Sequence, residues 1–137
     1  MTELLNERLI YSDLTYVING CAFEVFKAIG PGHLEKVYQK ALSMSLKSKG
    51  LKVEEQVTCN VFFQGEKVGS GRVDFLIDDK IILELKRGTY FSPGNYAQLN
   101  QYLLSMNKLL GMMIRFSNER ALIKRVINTN LVQKKEG

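Results

Sequence analysis

The spacing of apolar positions changes partway along this chain, and the change separates helices from strands. Leu14, Val17, Ile18, Cys21, Ala22, Val25 and Ile29 recur at steps of three and four. That period predicts a helix with one buried stripe, capped near Ser12 or Asp13. Gly30, Pro31 and Gly32 then supply a left-handed stop and a residue that cannot continue the helix. A second helix carries Leu34, Val37, Tyr38, Ala41 and Leu42 as its stripe and ends near Lys49 and Gly50. Beyond it the period drops to two, with Val57, Cys59, Val61 and Phe63 alternating with Thr58, Asn60 and Phe62. "QGEK" turns this first strand into a second, "GRVDFLI", and "KIILELK" is the third. Ser92 and Pro93 form a helix start, with a side-chain cap and a proline at the first position. This helix runs to about Met106 and buries Leu99, Tyr102, Leu103 and Met106. "LLGMMIRF" and "ALIKRVIN" read as two further strands. Residues 1–12 form an N-terminal arm and residues 130–137 a frayed tail. The predicted fold is a single α/β domain over 1–137, with one mixed sheet flanked by helices. Its crossover helix should set the fourth strand parallel to an earlier one.

The second and third strands can be registered by counting. A two-residue turn at Asp78 and Asp79 points Asp74 and Glu84 to opposite faces. A three-residue turn, Asp78 to Lys80, sets Ile77 opposite Ile81 and Asp74 opposite Glu84. One face then carries Val73, Phe75, Ile77, Ile81, Leu83 and Leu85, and the other Arg72, Asp74, Leu76, Ile82, Glu84 and Lys86. A slip of one residue inverts every side chain, so the cleaner partition selects the longer turn. Two carboxylates directly opposite repel unless a cation lies between them. Hard oxygen donors suit Mg2+ or Mn2+, ions that also bind phosphate. Lys86, two residues after Glu84, is placed to meet an attacking water or developing negative charge. The plainer alternative is a solvated strand edge on which Asp74 pairs with Arg72 and Glu84 with Lys86.

Charge and composition narrow the picture without deciding it. The net charge of +5 is compatible with a polyanionic partner. Cys21 and Cys59 are far apart and show no metal-ligand spacing, so both read as small core residues in a reducing cytoplasm. No signal-peptide pattern and no apolar run of membrane-spanning length occurs, which implies a soluble protein without a membrane partner. A nucleophile elbow, a phosphate-binding glycine loop and a Cys/His dyad are all absent, leaving small-molecule hydrolysis unsupported.

"GHLEKVY", with Gly32, Glu35 and Tyr38, resembles the signature of the GxxExxY family, a branch of the PD-(D/E)XK nuclease superfamily. "GRVDFLIDDKIILELK" is similar to the superfamily core, in which an Asp precedes an ExK on adjoining strands. "AQLNQYL" resembles the helix that follows, with Gln98 and Tyr102 in a QxxxY element. Asn95 stands where members of the family often carry a histidine. The resemblance implies a restriction-endonuclease-like αβββαβ core and a metal-dependent nuclease acting on nucleic acid, DNA ahead of RNA. It implies Asp74, Glu84 and Glu35 as ligands of Mg2+ or Mn2+ and Lys86 as the catalytic lysine. Gln98, Tyr102, Arg72 and Tyr38 would contact the substrate. Small nuclease folds often work as dimers, so a homodimer is among the expected assemblies. The alternative is a module that keeps this fold and binds nucleic acid or protein without cutting. Glu35 also reads as an acid neutralising a helix start, and Tyr38 as a core tyrosine. His33, beside the Gly-Pro-Gly turn, reads as exposed.

Overall fold

The computed structural model describes residues 10–136, with side chains through 132; most of the expected N-terminal arm lies outside the described residues. Helix α1 (Ser12–Ile29) stops at Gly30, which takes φ 69°. Helix α2 (Glu35–Ser48) follows the Gly-Pro-Gly turn. Strands β1 (Val53–Phe63), β2 (Glu66–Ile77) and β3 (Ile81–Leu85) then form an antiparallel meander. Helix α3 (Pro93–Met106) crosses over to β4 (Leu110–Phe116), and β5 (Ala121–Ile127) and α4 (Thr129–Glu136) complete the order. The sheet runs β1-β2-β3-β4-β5, and β3 pairs parallel with β4, as a crossover helix requires.

Both faces of the sheet are covered. On one, Ile18, Ala22 and Val25 of α1 and Tyr38, Leu42 and Leu46 of α2 bury Phe75, Ile77, Ile81, Leu83 and Met112. On the other, Leu99 and Leu103 of α3 bury Leu76, Ile82, Met113 and Val126. This second layer explains why β3 and β4 read as almost continuous apolar runs. Two glycines seat α3. A Cβ at Gly111 would stand 2.8 Å from Leu99, and one at Gly71 would stand 2.9 Å from the Tyr102 hydroxyl.

Several local expectations are corrected. Tyr11, with φ 51°, occupies the N-cap of α1, where Ser12 and Asp13 were expected, and no side chain caps the helix. Leu34 and Val37 are exposed, because the buried face of α2 runs through Tyr38, Leu42, Ser45 and Leu46 at steps of four, three and one. Residues 130–136 are helical rather than frayed. Buried Asn128 anchors that turn: its Nδ2 donates to the Leu103 and Lys108 carbonyls, while its own carbonyl accepts from Leu131 and Val132. Val73 belongs to the α3 cluster and not to the Phe75 face. The change of face coincides with Gln56, which takes φ 51° and is skipped by the β1–β2 ladder between the Glu55–Phe75 and Val57–Val73 pairs.

Candidate active site

The three-residue turn brings Ile77 opposite Ile81 and Phe75 opposite Leu83, and backbone pairing of β2 with β3 ends there. At the next position the side chains take over. Asp74 Oδ2 accepts the Leu85 N–H at 2.8 Å, and Glu84 Oε2 accepts the Asp74 N–H at 3.2 Å. The two carboxyl groups therefore fill the opening between the strands, each held by a main-chain donor of the other strand's segment. Their orientation follows from the register, and neither is free to swing away.

Glu84 is only 4% exposed. Burial, a hydrogen bond shared with the Asp74 carboxyl and repulsion from Asp74 raise its pKa from 4.5 to about 9, against a smaller opposing pull from Lys86. A buried acid this reluctant to ionise beside a second acid is a place where a positive charge is favoured. The donor set, two hard carboxylates in contact, fits a divalent cation. No ion pair forms between Asp74 and Arg72 or between Glu84 and Lys86, so the solvated-edge alternative does not describe this face.

Helix α3 roofs the pair. Ser92 caps it through a reciprocal capping box with Asn95, which gives the position expected for a family histidine a structural task. One turn on, Gln98 accepts a hydrogen bond from Lys86 Nζ through its Oε1, at 2.5 Å. Tyr102, four residues later on the same face, lies over Gly71. Burial raises the Tyr102 pKa, and the nearby Glu84, Cys59 and Asp74 raise it further, so its hydroxyl stays protonated and able to donate.

A family model of the PD-(D/E)XK nuclease superfamily matches residues 12–126, most of the chain. The chain belongs to that superfamily. No curated protein sequence matches it. Among solved structures it is similar to SSO0001, with 20% identity and a TM-score of 0.55 over 74% of this chain. The chain spans 55% of the length of SSO0001. It is also similar to LHK-Exo, an alkaline exonuclease from Laribacter hongkongensis, with 12% identity and a TM-score of 0.52 over 98% of this chain and 78% of that one. At these identities the likeness concerns the fold alone, which in this chain is a mixed five-stranded sheet flanked by helices.

Against the superfamily pattern, the structure brings together Asp74, Glu84, Lys86, Gln98 and Tyr102. It does not add Glu35 to the carboxylate pair. Glu35 begins α2 and faces Arg87 at 3.8 Å, and among the described residues no group of three or more His, Cys, Asp or Glu clusters as a metal site. Tyr38 is buried and stacked on Phe116 at 4.3 Å, and its hydroxyl donates to the Gly30 carbonyl at 2.6 Å, pinning the Gly-Pro-Gly turn. His33 is exposed, with Nε2 2.7 Å from the Ile29 carbonyl oxygen. Arg72 is exposed on β2. One residue escaped the sequence reading. Arg115, in the apolar run of β4, is 8% exposed and reaches the Gly88 carbonyl at 3.1 Å. Its signal was the same as that of Glu84, a lone charge inside a strand covered on both faces.

Proposed function

We propose that the chain is a divalent-metal-dependent nuclease that hydrolyses phosphodiester bonds, with DNA favoured over RNA. The observation that carries this reading is the Asp74–Glu84 carboxyl pair, fixed between two strands with Lys86 two residues away. Asp74 and Glu84 would hold Mg2+ or Mn2+. Such an ion, once bound, polarises a phosphate and supplies an activated water. The chain's own groups do the rest. Gln98 holds the Lys86 ammonium in place, where it offsets charge developing on the attacked phosphate. Tyr102, protonated, donates toward the same region. Helix α3 limits access of bulk water, which strengthens each of these interactions. The spacing of Gly32, Glu35 and Tyr38 supports placing the chain in the GxxExxY branch. The reading also includes a cytoplasmic location; no helix among the described residues is long and apolar enough to cross a membrane.

The test is cleavage of single- and double-stranded DNA and RNA, with Mn2+, Mg2+ or EDTA. Cutting should require metal, and Asp74→Asn, Glu84→Gln and Lys86→Met should each lower it about a hundredfold or more. A folded wild type that cuts none of the four substrates but binds them overturns the reading and identifies a non-cutting binding module.

A further inference from the structure

A second cavity, of about 310 Å³, lies where β4 ends and β5 begins. Gly111 and Met113 meet α3, so strand alternation and the β4–β5 register put Arg115, Leu122 and Lys124 on that same face. These three line the cavity together with Tyr90, Phe91 and Tyr96. Glu84 shares a cross-strand row with it, pairing with Met113, which pairs in turn with Lys124. Two strand spacings, about 10 Å, separate Glu84 from Lys124 along that row. Helix α3 stands between them, with Gln98 and Tyr102 toward the carboxyl pair and Tyr96 toward the cavity.

The lining has the chemistry of a nucleobase site. Three aromatic rings meet here, yet none stacks on another ring among the described residues. Phe91 carries the Arg115 guanidinium 5.6 Å from its centroid. Tyr90 is 65% exposed and belongs to neither hydrophobic cluster, so core packing does not account for it. Charge points the same way. Both charged groups of the lining, Lys124 and Arg115, are cations. Lys124 is exposed and has no ion-pair or hydrogen-bond partner among the described residues. Open ring faces beside an unneutralised cation suit a base and its adjoining phosphate, since any base can stack and the cation meets the backbone. An apolar peptide would leave Lys124 unused.

Size selects one base. The volume stands at the lower end of small-molecule sites, which span about 300–1,000 Å³. A base pair does not fit, so the base must be out of its duplex. We propose that this cavity is a base subsite that takes one unpaired base of the substrate strand, stacked on Tyr90 and its neighbouring rings, with the adjoining phosphate on Lys124. The proposal rests on the nuclease reading for its substrate class. It adds a contact away from the scissile bond that favours single-stranded or frayed nucleic acid.

The experiment measures binding in EDTA, which withholds the metal that cleavage requires. Full-length protein is titrated with a labelled single-stranded oligonucleotide and with an abasic strand of the same length. Wild type should prefer the base-bearing strand about fivefold or more, the worth of one stacked base. Tyr90→Ala, at an exposed position where folding is not at risk, should bring that ratio close to one, and Tyr90→Phe should keep it. Lys124→Gln should weaken both strands alike and lower the salt slope by about one. The chain has no tryptophan, so Tyr90→Trp supplies a single reporter. Its fluorescence should be quenched by the base-bearing strand and unchanged by the abasic strand or a blunt duplex. Equal affinity of folded wild type for both strands, or a ratio that survives Tyr90→Ala, overturns the proposal. Quenching by free nucleoside monophosphates at the same concentrations as the strand also overturns it, in favour of a pocket for free nucleotides. A chain that keeps the ratio but never cuts with Mn2+ overturns the nuclease reading and leaves the base subsite standing. Cutting without base preference does the reverse.

Discussion

Replacing Glu84 by Gln should stabilise the chain in the absence of divalent metal, and by an amount that grows with pH. In the folded state burial and Asp74 hold the Glu84 pKa at about 9, against an ordinary value of 4.5. Between those values the folded chain keeps a proton that the unfolded chain has lost. Stability therefore falls as pH rises through this window, at up to about 1.4 kcal/mol per pH unit. At pH 5 the accumulated penalty is under about 1 kcal/mol; at pH 7 it reaches roughly 3 kcal/mol. An amide does not titrate, yet it matches the protonated acid in shape, and it can accept from the Asp74 N–H while donating to the Asp74 carboxylate. Asp74 is half-buried and reached by water, so about 2–3 kcal/mol is the expected gain at pH 7. In a domain of this size that is a rise in Tm of roughly 5–10 °C. Urea denaturation in EDTA at pH 5, 7 and 8.5 measures it directly. Mn2+ should then stabilise wild type and leave Glu84→Gln unmoved. A variant less stable than wild type, or a gain equal at pH 5 and pH 8.5, would show that Glu84 is not the strained acid described here.

Three further outcomes are expected. Gly111→Ala forces a methyl group against fully buried Leu99 and should cost about 1–3 kcal/mol by chemical denaturation, while Gly71→Ala, which meets the half-exposed Tyr102, should cost less. Asn128→Ala leaves the Leu103 and Lys108 carbonyls without their side-chain donor and should destabilise by about 1–3 kcal/mol, with faster hydrogen exchange of the Leu131 and Val132 amides. Tyr38→Phe removes the bond to the Gly30 carbonyl but keeps the stack on Phe116; a loss of about 1 kcal/mol is expected, visible as a lower urea midpoint.

The sequence was most readable where two constraints coincided. The turn between β2 and β3 allowed two registers, the partition of apolar and charged faces on those strands selected one of them, and the structure has that register. Ser92 and Pro93 likewise start α3 by their own chemistry. What escaped depended on partners remote in the chain. The alternation along β2 could not show that Val73 changes cluster, because that coincides with a backbone departure at Gln56 on the neighbouring strand. The tail reads as polar and frayed until Asn128 is seen bonding across to the end of α3. Leu34 and Val37 fit a helical stripe by spacing, but the phase of that stripe is set by where α2 meets the sheet. At the site, the closeness of Asp74 and Glu84 followed from counting. The deep burial of Glu84 did not, since it depends on α3 lying over that face.

The two glycines beneath α3 also determine how this cleft can vary. At Gly71 and Gly111 the helix rests on bare backbone, with Tyr102 and Leu99 as its points of contact. It cannot sink further, and lifting it would open the core around Leu99 and Leu103. Gln98 and Tyr102 thus belong to a fixed jaw. Beyond Lys86 comes the segment after β3, where Arg87, Gly88, Thr89 and Tyr90 are all exposed and the Arg115–Gly88 hydrogen bond and the Arg87–Glu35 ion pair are the ties to the rest of the domain. Under the nuclease reading proposed above, changes of substrate preference within this architecture should accumulate in the exposed residues 87–90 while α3 and its two glycines stay as they are.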